Sequence, residues 1–112
     1  MPDATTEFFT GLEERGHEPL LEKARGSIRF DLLDDGRRAR WLVEIDRGDL
    51  AVSHRNAKAD CVIRAEKALF DRIATGEENA VAAVLRGAID IEGNRQLLVI
   101  FQRVFPAGPE SA

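Results

Sequence analysis

The chain has 112 residues, of which 44% are hydrophobic and 32% charged, enough for one globular domain that closes its own core. One cysteine, Cys61, excludes an internal disulfide, and with His17 and His54 it is too little for a structural zinc site. The longest apolar runs, Ala80 to Leu85 and Leu97 to Phe101, fall far short of the roughly 18–20 residues that span a bilayer.

Twenty acids against sixteen bases give a net charge of -4. Residues 1–22 carry six of the acids and a single base, Arg15, which reads as the solvated face of a helix. Elsewhere acids and bases alternate, and the chain has no tyrosine. A nucleic-acid binder would show a basic stripe with aromatics for stacking, so no nucleic-acid partner is expected.

In chain order, Thr5-Thr6-Glu7 can cap a first helix, with Phe8, Phe9 and Leu12 on one face and Glu13 and Glu14 opposite. Gly16 ends it, and Pro19-Leu20-Leu21 suggests a short helical turn packed on the core. From Gly26 the period changes to two. Ile28, Phe30 and Leu32 alternate with Ser27, Arg29 and Asp31, as in a half-buried strand. Asp34-Asp35-Gly36 is a hairpin turn, followed by a strand carrying Trp41, Val43 and Ile45. Asp46-Arg47-Gly48-Asp49 makes a second turn. Its Arg-Gly-Asp matches an adhesion tripeptide but belongs to the turn. Leu50 and Val52 mark a third strand, and Cys61 and Ile63 a fourth.

After Arg64 the helical period returns with Leu69, Phe70 and Ile73, closed by Gly76. Asn79 can cap a further helix through Val81, Val84 and Leu85 to Gly87. Ala88 to Glu92 is a fifth strand, Gly93-Asn94 a turn, and a last helix runs on to Pro106. The order predicts an α+β fold in one domain, residues 1–112, with its core over about 8–105.

Catalytic patterns are scarce. The sequence has no Gly-rich phosphate loop, HExxH or GxSxG. His54 sits in a polar loop beside Arg55 and Asn56, Cys61 alternates with Ile63 as a buried thiol, and Asp34 and Asp35 belong to a turn. No catalytic residue, cofactor or metal is assigned. The informative feature is the last helix, where Leu97, Leu98, Val99, Ile100, Phe101, Val104 and Phe105 leave almost no polar face. A helix covering one sheet needs an apolar stripe only about 100° wide. The surplus must be buried in a packed core, meet a partner or line a cavity. Small Ala80, Ala82 and Ala83 on the neighbouring helix leave room for a cavity, and a well-packed core with a homodimer face remains the alternative.

The element order resembles the sterol carrier protein type-two (SCP-2-like) domain over about Phe8 to Phe105. Arg40-Trp41-Leu42-Val43-Glu44-Ile45 and Asp60-Cys61-Val62-Ile63-Arg64 resemble two of its strands. Thr75 to Ala80 and Leu85 to Asn94, with Gly76, Gly87 and Gly93 at fixed spacing, resemble its most recognisable stretch. The resemblance implies a twisted five-stranded, mainly antiparallel sheet, covered on one face by helices, with an apolar tunnel between the layers. It also implies non-catalytic binding or transfer of a sterol, fatty acyl chain, acyl-CoA or similar lipid. The chain ends Glu110-Ser111-Ala112, not Ser-Lys-Leu, which points to a bacterial-type, cytoplasmic member without stable membrane insertion.

The residues expected to line the tunnel are Trp41, Val43, Phe70, Ile73, Val81 and Val84, followed by Leu85, Leu97, Phe101, Val104 and Phe105. Gln102, interrupting the apolar helix, is the candidate polar anchor. The rival readings are a structural or dimerisation module with a closed core, and a small α+β isomerase or hydrolase. The latter needs an Asp or His inside the cavity.

Overall fold

The computed structural model describes residues 3–105. Four α-helices and five strands follow one another as α1 (Ala4–Arg15), β1 (Arg25–Asp34), β2 (Arg37–Asp46), β3 (Asp49–Ser53), β4 (Cys61–Glu66), α2 (Lys67–Ala74), α3 (Ala80–Leu85), β5 (Asp90–Gly93) and α4 (Arg95–Phe101). Short 3-10 turns at Pro19–Leu21 and Gln102–Val104 complete the described residues.

The sheet order is β3-β2-β1-β4-β5. Two hairpins build its first half. Each closes on a two-residue loop with both central φ angles positive: Asp35 (51°) and Gly36 (83°), then Arg47 (51°) and Gly48 (92°). That is the turn geometry whose twist matches the flanking strands, and it absorbs the Arg-Gly-Asp tripeptide. β1 and β4 pair in parallel, whereas β4 and β5 are antiparallel. The sheet is therefore mixed, and mostly antiparallel.

Alternation sorts its two faces. Ile28, Phe30 and Leu32 of β1 and Val43 and Ile45 of β2 are buried beneath the helices. Arg29 and Asp31 point the other way. There the 54–60 crossover from β3 to β4 passes over the sheet, and the Arg29 guanidinium donates to the Ala57 carbonyl at 3.2 Å. Asp31, 5% exposed, is held by Arg29 at 3.1 Å and Arg40 at 3.2 Å. Leu42 on this face is also buried, outside the main core cluster.

α1 begins earlier than its Thr-Thr-Glu signal predicts, because Asp3 is the cap. Its carboxylate accepts from the Thr6 amide at 2.7 Å. Thr5 is freed for a tertiary contact and donates its hydroxyl to Asp71 of α2 at 2.6 Å. Lys67 bridges Asp3 at 2.8 Å and Asp71 at 3.1 Å, tying the starts of both helices together. The Lys67 hydrogen bond holds the Asp3 carboxyl at about 2, below its ordinary 3.8. Because the folded value is depressed, this stabilisation is present above pH 4 and is lost as pH falls from 4 to 2. The Asp3 side chain is 40% exposed, so solvent screening limits the contribution to about 1 kcal/mol or less. Asp3→Asn keeps the cap but loses the charge. Its stability deficit at pH 7, measured by urea unfolding, should close by pH 2.

No helix of the described residues is long and apolar enough to cross a membrane.

Candidate functional site

The layer between helices and sheet is aromatic. The chain's six phenylalanines and its one tryptophan join in a single contact cluster. Phe9 of α1 is its hub. It stacks on Trp41 at 4.6 Å and on Phe70 of α2 at 5.5 Å, and meets Phe30 of β1 edge-on at 5.1 Å. Phe101 of α4 packs on Phe30 at 5.6 Å. Phe9, Phe30, Phe70 and Phe101 are buried. Phe8 and Phe105 are only partly so, and stack on each other at 4.9 Å at the margin of the layer. Side chains fill the space where the resemblance implies a tunnel. Ring pairs at these distances each add about 0.5–1.5 kcal/mol beyond area burial.

The expected lining residues divide into two groups. Val43, Phe70, Ile73, Leu97 and Phe101 are buried in this layer. Trp41, Val84, Val104 and Phe105 pack against it, partly buried. Gln102 is half-buried in the 3-10 turn after α4, where its carbonyl accepts from the Phe105 amide at 3.2 Å. Val81 and Leu85 are a correction. They are 37% and 83% exposed, and do not face the interior. α3 turns Ala80 and Ala83 inward, three residues apart on one face, so Val81 and Leu85 fall on the other. The last helix is also less enclosed than its composition suggests. Leu97, Leu98 and Phe101 are buried, while Val99 is 50% exposed.

Phe8, Phe9 and Phe30 belong to the cluster and were not among the expected lining residues. The available signal was the Phe8-Phe9 pair on a helix that could return over the sheet, together with the period-two position of Phe30.

Neither candidate nucleophile or base is set up for chemistry. Burial and the neighbouring Asp60 charge push the Cys61 thiol up, away from the thiolate. His54 is exposed at the end of β3, its Nδ1 2.8 Å from the Arg40 carbonyl and its ring against Trp41. Asp31, the buried carboxylate, sits on the far face between two arginines. A depression of about 650 Å³ lies at the β1–β2 end of the sheet, lined by Glu44, Asp46, Asp49 and Asp60 among others. Four carboxylates make it a poor host for an acyl chain. Another, of about 470 Å³, lies between the first 3-10 turn and α4.

A mostly antiparallel five-stranded sheet, with helices on one face and an apolar layer between, is the architecture of the sterol-carrier class. The chain belongs to the SCP-2 sterol transfer family, whose family model matches residues 8–106. That family is one of lipid binding and transfer. Among solved structures, the chain is similar to the sterol carrier protein domain 2 of Helicoverpa armigera. The identity there is 24% and the TM-score 0.73, covering 90% of this chain and 87% of that one. Sterol Carrier Protein 2 from Yarrowia lipolytica in its apo form matches at 19% identity and a TM-score of 0.74, covering 88% and 87%. A possible sterol carrier protein from Thermus thermophilus matches at 18% identity and 0.69, covering 100% and 95%. At such identities these likenesses speak to the fold alone. No curated protein matches the sequence.

Proposed function

We propose that this protein binds and transfers an apolar lipid, an acyl chain or sterol, without catalysis, and that the ligand enters the aromatic layer by parting its rings. The single observation that carries the reading is that layer. Seven aromatic side chains from α1, α2, β1, β2 and the end of the chain's last helical segment meet in one place, with Phe8 and Phe105 at its margin. Family membership supports the lipid class. Each methylene moved from water into the layer contributes about 0.8 kcal/mol, against the ring contacts it displaces. Gln102, half-buried next to Phe101, is the polar group proposed to anchor a headgroup.

The closed-core alternative draws on one observation, the complete burial of Phe9 and Phe101. Native mass spectrometry of protein purified from cells separates the two. The carrier is expected to retain a lipid mass, and a closed module to give the bare chain. In solution, Trp41 stacked on Phe9 should emit at a blue-shifted wavelength, and the emission should change when a fatty acid binds. Bare protein, with no fluorescent fatty acid bound at micromolar concentration, rejects the carrier reading. His54→Ala and Cys61→Ala should keep probe binding. Loss of binding in a folded His54→Ala protein would reopen the enzyme reading.

A further inference from the structure

The core-facing side of β3 changes chemistry at its end. Leu50 and Val52 lie opposite Ile45 and Val43 of β2 and pack in or against the core. Their alternation calls for a third apolar side chain at residue 54, one rung further on, beside Trp41. The sequence places His54 there. Its imidazole lies against the indole of Trp41, ring centres 4.1 Å apart and tilted by 47°. A carbonyl only accepts, so His54 Nδ1 carries a proton and donates it to the Arg40 carbonyl at 2.8 Å.

Trp41 is thus held between two rings of opposite character. Phe9, fully buried, stacks on it at 4.6 Å, whereas His54 is exposed. The next residue of β2 on the same side is Ala39, small and partly buried, so β2 adds no further large apolar cover towards the β1–β2 hairpin. The opposite margin of the layer is shut more firmly. Phe105 stacks on Phe8 at 4.9 Å and also meets Phe70 at 5.7 Å and Phe101 at 5.5 Å. Phe8 meets Phe9 at 5.3 Å and Phe70 at 5.9 Å. Opening that margin breaks several aromatic contacts at once. At the β3 end, among the described residues, the side chain of His54 is held by one ring contact and one hydrogen bond.

We propose that His54 is the door of the aromatic layer: an acyl chain enters past Trp41 when the imidazole swings out into solvent. The proposal rests on the lipid-carrier reading and names where the ligand passes. The imidazole covers Trp41 in the empty and in the filled protein alike. Its contacts therefore cancel in the affinity and act on the rates of entry and exit together.

The test is stopped-flow binding and release of cis-parinaric acid, a fluorescent fatty acid. A ring contact and an exposed hydrogen bond together are worth about tenfold. His54→Ala should therefore speed entry and exit by about tenfold each and leave the dissociation constant within about twofold of wild type. His54→Asn keeps a donor for the Arg40 carbonyl but loses the ring, and should fall between the two. His54→Phe keeps a ring over Trp41 and should bring the rates back towards wild type. His17→Ala, at the other exposed histidine, should leave both rates unchanged. Position 54 is exposed, so melting temperatures should stay close to wild type. Acrylamide quenching of Trp41, the chain's one tryptophan, should rise in His54→Ala without any lipid present. Unchanged rates in His54→Ala overturn the door, as does unchanged quenching. Rates that respond to Phe105→Ala and ignore His54→Ala also overturn it, because the entry then lies at the other margin. The two readings fail separately. A wild type that binds no cis-parinaric acid refutes the carrier and the door with it; a wild type that binds the probe at rates indifferent to His54 refutes the door and leaves the carrier.

Discussion

Replacing Phe101 by alanine should destabilise the protein by about 3–5 kcal/mol, the cost of emptying a ring-sized space in a packed interior. Phe101 has no exposed surface, and its ring meets Phe30 at 5.6 Å, Phe105 at 5.5 Å and Phe8 at 6.3 Å. The void cannot close easily, since β1 and β4, under α4, are fixed by sheet hydrogen bonds on both sides. The same variant tests whether the layer admits lipid. If an acyl chain enters beside Phe101, the space left by the ring is a ready place for it. A fatty acid at a hundredfold excess over its dissociation constant then restores about 2.7 kcal/mol by mass action. Urea midpoints of wild type and Phe101→Ala, each with and without fatty acid, give all four numbers. A full stability loss with no shift by fatty acid in either protein means a layer closed to lipid, and the structural-module reading takes its place.

How far the sequence could be read depends on what each element needed from the rest of the molecule. The strands were legible because one face of the sheet is buried, which forces a period of two on Ile28, Phe30, Leu32, Val43 and Ile45. The turns were legible because Asp35-Gly36 and Gly48 need positive φ. α3 was misread for a physical reason. Its six residues are all apolar, so no polar side marks the direction it faces, and burial went to the alanines that fit closest to the core. The Asp3 cap was missed because Thr5 and Thr6 are equally good cap residues; only the distant Asp71 decides that Thr5 turns inward. The candidate site was half legible. Phe70 and Phe101 lie within apolar helical patterns, but Phe9 as the hub depends on α1 returning over β2, and no local pattern encodes that contact.

Gly93→Ala should cost about 3 kcal/mol, and Gly36→Ala about 1 kcal/mol, although both glycines hold positive φ. The backbone angles are alike, 89° and 83°. Their surroundings differ. A Cβ at Gly36 would meet nothing, because that loop projects into solvent, so only backbone strain is added. A Cβ at Gly93 would collide with the Asp60 carbonyl oxygen. That carbonyl cannot simply retreat, because it accepts the Asn94 amide at 2.8 Å. Asp60 is held again from the other side: its carboxylate accepts the Ser27 amide at 3.0 Å, and its own amide donates to the Ser27 hydroxyl at 3.1 Å. Moving Asp60 therefore loosens three hydrogen bonds that fasten the crossover and the start of α4 to β1. Urea unfolding should separate the two variants by about 2 kcal/mol. Hydrogen exchange at the Ser27 and Asn94 amides should accelerate in Gly93→Ala alone. Equal costs for the two substitutions, with unchanged exchange at both amides, would mean that backbone strain is the whole effect and that the Asp60 clamp yields without loss.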